Sequence, residues 1–299
     1  MEELSGWLKD FGAYDAELDR VAFTSRWVAA ERGLESDRPD ALFVDPFAKN
    51  LGGTSGMAFS EKIATMYEEM FGWRDWHRCW MAIRTKVLDE AITDFASSAD
   101  GSRFQMVNLG AGLDTRAFRL ECLADCSVCF EVDMPEVLRV KDHAMSALKA
   151  HSKCPRVPLA ADVTDENLEA KLFAVGFDVK VPTFWLLEGL VMYLDPEPVK
   201  VLLGKLFALS APGSKIACGF LGDPNMKMPP GAPLPPFICP PADFEELLRG
   251  YGWNNVRTAI FGDPEMNFGR YPVDRPPDTT QCFCFASRSG ADVSCSAKM

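Results

Sequence analysis

The 299-residue chain is short of positive charge: 31 Lys and Arg face 43 Asp and Glu, for a formal net charge of −12. Such a balance is poorly suited to neutralising nucleic-acid phosphates or to resting on an anionic membrane, although a local basic pocket remains compatible with it. No stretch reaches the roughly 18 apolar residues of a membrane span. Met1-Glu2-Glu3-Leu4-Ser5 is acidic and no apolar segment of a secretory signal follows. A cytoplasmic setting is therefore expected, with the ten cysteines as reduced thiols. Internal repeats are also missing. What is present is an ordinary globular composition, 47% hydrophobic and 25% charged, enough for one large domain or a domain with a cap.

Residues 1–100 read as a helical cap. Asp15–Arg32 has apolar residues at helical spacing (Leu18, Val21, Ala22, Trp27, Val28), and a loop with Pro39 and Pro46 follows. Gly52-Gly53-Thr54-Ser55-Gly56 reads as a flexible turn. Arg78–Ala96 predicts a second helix, with Ile83, Val87, Leu88, Ile92 and Phe95 on one stripe. From Arg103 short apolar runs alternate with helical segments, as in parallel βα units. Strands are expected at Phe104–Leu109, Ser127–Asp133, Arg156–Ala161, Thr183–Glu188 and Ser214–Leu221. Helices are expected at Thr115–Leu123, Pro135–Ala150, Asn167–Val175 and Pro196–Leu209, two of them with first-turn prolines. A helix capped by Asp243 and an antiparallel edge pair, Asn255–Phe261 with Gln281–Ser287, complete a core over 101–287. The proline-rich stretch 223–241 reads as a loop and 288–299 as a tail. The fold class is α/β, a doubly wound and mostly parallel seven-stranded sheet with its ligand at the carboxyl ends of the strands.

The first strand runs into Gly110-Ala111-Gly112-Leu113-Asp114-Thr115-Arg116. Glycines there permit a sharp turn and a close backbone approach to a ligand, although a tight βα turn in any α/β protein would look alike. The second strand ends in Glu131-Val132-Asp133. At its carboxyl end Asp133 can accept from both hydroxyls of a ribose. Its bland alternative is a helix cap before Pro135. A ribose-binding acid fits a nicotinamide dinucleotide or S-adenosylmethionine. The dinucleotide fingerprint would want Gly or Ala at 115, where Thr115 stands, and Asp114 would set a negative charge near a pyrophosphate. S-adenosylmethionine has no phosphate and carries a sulfonium and an ammonium, which an acidic pocket suits.

Asn108–Arg116 resembles the first motif of the leucine carboxyl methyltransferase-like family of class I S-adenosylmethionine-dependent methyltransferases. Phe130–Glu136 is similar to its second motif and Leu187–Leu194 to its fourth-strand motif. Thr24–Ala30 and Asp45-Pro46-Phe47 resemble the cap of its bacterial, small-molecule branch. The resemblance implies a class I core and S-adenosylmethionine as cofactor. It implies Arg84 on the methionyl carboxylate, Gly110 and Gly112 along the methionyl and ribose region, Asp133 on the ribose, Asp162 and Val163 at the adenine edge, and Glu188 near the cofactor's amino group. Arg26 and Tyr193 follow from motif position as candidate substrate contacts, against a structural ion pair and core packing.

No committed general base is visible. His77 lies in the cap, either within reach of the site or on the surface, and His143 and His151 read as solvated. Cys122, Cys126 and Cys129 have the spacing of a radical-enzyme cluster triad. Cys126 and Cys129 lie an odd number apart on a strand, so they should point to opposite faces. Cys282-Phe283-Cys284 reads as plain strand alternation. The expected partner is a small-molecule acceptor, through a carboxylate or hydroxyl, with a protein C-terminal carboxylate or a non-catalytic scaffold as the alternatives. Nucleic acid and membrane are not expected, and oligomeric state is open. Ala297-Lys298-Met299 loosely resembles a peroxisomal address.

Overall fold

The computed structural model describes residues 20–99, 101–221 and 243–289. The start of the first predicted helix, the proline-rich loop, most of the tail and the Ala297–Met299 address lie outside the described residues. Three helices come first: α1 (Arg20–Ser36), α2 (Ala48–Phe71) and α3 (Trp76–Ser98). The core follows as β1 (Phe104–Leu109), a short α4 (Arg116–Arg119), β2 (Cys126–Asp133), α5 (Pro135–Ala147), β3 (Arg156–Ala160), α6 (Leu168–Ala174) and β4 (Thr183–Glu188). It closes with α7 (Pro196–Leu209), β5 (Lys215–Leu221), α8 (Phe244–Tyr251), β6 (Asn254–Phe261) and β7 (Asp278–Ser287). The seven strands form one sheet in the order β3-β2-β1-β4-β5-β7-β6. All pairings are parallel except β5–β7 and β6–β7. β1 pairs with β2 on one side and β4 on the other, so the strand order reverses there and opens a crevice at the carboxyl ends.

The inner strands are buried on both faces because helices cover each side. Val107, Leu109, Trp185 and Leu187 join one apolar cluster, while Phe104, Met106, Phe184 and Leu186 join another. This is strand alternation, with each fully buried Leu or Phe contributing roughly 1.5–3 kcal/mol. Cys282 and Cys284 face the first cluster and Phe283 faces away. A third cluster, rich in aromatics, gathers Trp27, Phe59, Tyr67, Trp76 and Trp80 from the cap with Phe261 and Phe283 from the last two strands.

Four local expectations are corrected. Gly52–Gly56 is not a turn between elements but lies inside α2, kinked at Gly53 (φ 61°). Added Cβ atoms at Gly52 and Gly56 would come within 2.8 Å of Ala30 N and 2.5 Å of the Arg26 carbonyl oxygen, so these glycines allow α1 and α2 to cross in backbone contact. The helix expected over Thr115–Leu123 breaks after Arg119 into a 3-10 segment, Glu121–Asp125. Asp243 stands at the N-cap position of α8, but its side chain makes no capping hydrogen bond. Cys126 pairs with Phe104 and Cys129 with Met106, so three steps on β2 match two on β1. This bulge puts both thiols in the same buried cluster, with Cys154, instead of on opposite faces. Among the described residues no group of three or more His, Cys, Asp or Glu is placed to hold a metal ion.

Candidate active site

One cavity of about 420 Å³ lies over the carboxyl ends of β1, β2 and β4, beneath the cap helices. Its floor is charged and rich in backbone. Gly110 (φ 67°) and Gly112 (φ 47°) hold the turn after β1 in the left-handed region, where a side chain would be strained. A Cβ at Gly110 would also approach Leu190 Cδ1 to 2.9 Å. Asp133 Oδ2 accepts from the Gly112 N–H at 2.6 Å and Oδ1 from the Met134 N–H at 2.7 Å. Burial pushes the Asp133 carboxyl above its ordinary range despite those bonds. Asp162 caps its own turn through Thr164 and lines the cavity beside Val163.

Glu188, at the end of β4, accepts from Arg84 Nε at 2.8 Å and from Arg116 Nη1 at 2.5 Å. Burial alone would raise its pKa, but the two guanidiniums outweigh that and hold it below the usual carboxylate range. Arg116 also pairs with Asp114 and, at 2.6 Å, with Asp89. The ion network extends to the cap: Arg119 bonds Asp89, while Asp45 accepts from Arg32 Nε at 2.9 Å and from Thr115 Oγ1 at 2.6 Å. Thr115, which departs from the dinucleotide fingerprint, is therefore a bond between core and cap.

The roof is aromatic. Trp27, Tyr67, Trp76 and Trp80 line it, with His77 among them. His77 is fully buried, which overturns its reading as a surface histidine. Its Nε2 lies 2.8 Å from Glu31 Oε1, which also accepts from Trp27 Nε1 at 2.8 Å. Burial opposes ionisation of Glu31, yet the His77 contact and neighbouring donors hold its pKa below the usual value.

The cavity thus gathers Arg84, Gly110, Gly112, Asp133, Asp162, Val163, Glu188 and Tyr193. Tyr193 is hydrogen-bonded to Thr24, and burial raises its pKa. Arg26 is not brought to the cavity wall; its Nη1 donates to the Leu51 carbonyl at 3.0 Å, between α1 and α2. Glu131 turns away from the cavity and pairs with Lys141 at 2.7 Å and Arg156 at 2.8 Å. Arg116 stood in the first motif without a role in the sequence reading. Glu31 gave no sequence signal beyond its spacing of four from Trp27, one helical turn.

Residues 25–207 match the family described as leucine carboxyl methyltransferase. A Streptomyces coelicolor protein is 40% identical over 201 residues, 66% of this chain and 65% of its own length. One from Mycolicibacterium vanbaalenii is 36% identical over 282 residues, 86% of this chain and 89% of its own. Both bear the name "Putative S-adenosyl-L-methionine-dependent methyltransferase". Among solved structures, a Thermobifida fusca protein described as a putative methyltransferase superposes with a TM-score of 0.57 at 18% identity, over 89% of this chain and 94% of that one. At that identity it speaks for the fold alone. With its motifs at the ends of β1, β2 and β4 and a matching span of this length, the chain belongs to the leucine carboxyl methyltransferase family.

Proposed function

We propose that this protein methylates an oxygen of a small, largely apolar molecule held under the cap. The chain is an S-adenosylmethionine-dependent methyltransferase. The acceptor class is read from one observation: the space facing the charged floor is a roof of four aromatic side chains, with Gln281 as a further lining residue. Such a chamber suits a flat or apolar acceptor and sheds water from the reaction. An extended peptide terminus would need a groove with backbone partners, and the aromatic roof gives it little to bond.

The donor set fits the cofactor. Asp133 has spent two acceptor positions on N–H groups, and a carboxylate retains two more for vicinal hydroxyls. Arg84 commits its Nε to Glu188, which leaves its terminal nitrogens to meet a carboxylate. Glu188, kept ionised between Arg84 and Arg116, supplies negative charge for an ammonium. Asp162 and Val163 line the same cavity and are assigned to the adenine's exocyclic amine and ring nitrogen. When bound, the cofactor supplies a methyl group activated by its sulfonium. The protein's part is to hold both reactants in line and exclude water. Tyr193 lines the cavity and is assigned to the acceptor.

A labelled-methyl transfer screen against metabolite extract and C-terminal peptides tests the assignment. Label in small molecules supports it, and label confined to peptides refutes it. Calorimetry with S-adenosylmethionine should show binding, and NAD none. Alkali-labile label would mark an ester, and stable label an ether.

A further inference from the structure

The polar group of the roof is set up in an unusual way. His77 is fully buried, with ring centroids 5.6 Å from Trp27 and 5.7 Å from Tyr67. Glu31 is ionised, so its Oε1 can only accept at the 2.8 Å contact, and the proton of His77 resides on Nε2. In the neutral imidazole this leaves the lone pair on Nδ1. That atom is buried and has no hydrogen-bond partner among the described residues. Leaving a buried acceptor unpaired costs free energy. A ligand that donates to it would relieve that cost, and His77 lines the cavity.

Resting on the O-methyltransferase reading above, we propose that His77 is the general base for an aromatic hydroxyl acceptor, with Glu31 as its positioning residue. The acceptor O–H donates to Nδ1 and its proton passes there. An oxygen lone pair forms the new C–O bond at the methyl carbon, and the sulfur retains the electrons of the broken S–C bond. The imidazolium so formed faces the Glu31 carboxylate, then releases its proton to water once the cavity opens. A phenol meets the aromatic walls and supplies the donor that Nδ1 lacks. A carboxylate supplies no donor, and would bring a second anion towards Glu31. Three other charged or titratable groups surround the pair. Tyr67 comes from α2 and Arg78 from α3, the latter 3.8 Å from Glu31 Oε2; Asp278 on β7 is reached through Trp76 Nε1. The sequence left carboxylate and hydroxyl acceptors level, and this arrangement separates them.

The probe is 4-nitrophenol, added to the full-length protein without cofactor, with benzoate as the matched carboxylate. Wild type should bind the phenol with its absorbance shifted towards phenolate and bind benzoate at least tenfold more weakly. His77→Gln should abolish the shift and lower methyl transfer to a phenol about 10²- to 10⁴-fold. Its affinity for S-adenosylmethionine should stay unchanged. Glu31→Gln should keep binding but move the acidic limb of the pH–rate profile to lower pH, because the imidazolium loses its carboxylate partner. No shift in wild type, a shift retained in His77→Gln, or equal binding of benzoate overturns the proposal. Nitrogen-15 spectra of the wild type give a reading independent of variant folding: Nε2 protonated supports it, and Nδ1 protonated overturns it. Failure of wild type to bind S-adenosylmethionine would instead refute the broader reading and leave the phenol and tautomer results to be judged separately.

Discussion

The floor and the roof of the cavity are built by opposite means. On the floor, charge is abundant and mostly paired: Glu188 lies between Arg84 and Arg116, and Asp89, Asp114 and Asp45 each have a guanidinium. In the roof charge is scarce, and one imidazole–carboxylate pair stands among indole rings. The floor suits a ligand with fixed charges at fixed spacing. The roof suits a ligand recognised by shape and by a single proton.

Removing a hub should show how far the floor depends on pairing. Arg116→Ala leaves three carboxylates without a shared cation, and should cost about 3–5 kcal/mol in urea unfolding. A loss below 1 kcal/mol would mean that the network is decoration. Asp133 should behave in the opposite way, since burial has raised its pKa and no cation faces it directly. Asp133→Asn should weaken S-adenosylmethionine binding about 10- to 100-fold by calorimetry, the loss of charge-assisted bonds, without lowering the Tm of the free protein.

Acid should separate the two kinds of carboxylate. Glu188, Asp114 and Asp45 have lowered folded pKa values, so their contribution is complete above the ordinary carboxylate range. It is lost as the pH falls through those lowered values. Asp133, raised, takes up its proton first, and that protonation favours the folded state. Cofactor affinity should therefore fall at a higher pH than ellipticity does. Coincident losses on titration from pH 7 to 3 would contradict this.

Roof geometry depends on the helix crossing below it. Gly56→Ala should cost about 1–3 kcal/mol through overpacking, because its methyl would meet the Arg26 carbonyl. The smallest effect belongs to Arg26→Ala. With the guanidinium bonded to Leu51 and off the cavity wall, acceptor KM should change less than twofold, with about 1 kcal/mol of stability lost. A large change in KM would return Arg26 to the acceptor.

The floor was legible in the sequence because its residues come from local motifs. A strand, a glycine turn and an acid at the next strand end occupy fixed offsets, and β1 and β4 lie where their apolar runs placed them. The antiparallel edge was legible from the same alternation, with β7 starting three residues earlier than expected. The roof was not legible. Glu31 and His77 lie 46 positions apart, and only the crossing of α1 with α3 joins them. Glycine-rich 52–56 misled because close helix contact and a turn call for the same residue. The thiols of Cys126 and Cys129 misled because a bulge is set by the partner strand, which spacing on one strand does not contain.

The aromatic cluster has a consequence for how the chain is made. Its helical half, Trp27 to Trp80, leaves the ribosome first, and its covering half, Phe261 and Phe283, leaves last. The indole face of the cap therefore has to wait for some two hundred residues of translation before its native cover exists. A nascent chain stalled before β6 carries that face uncovered, so chaperone demand should peak late in synthesis and fall once the last strand is free.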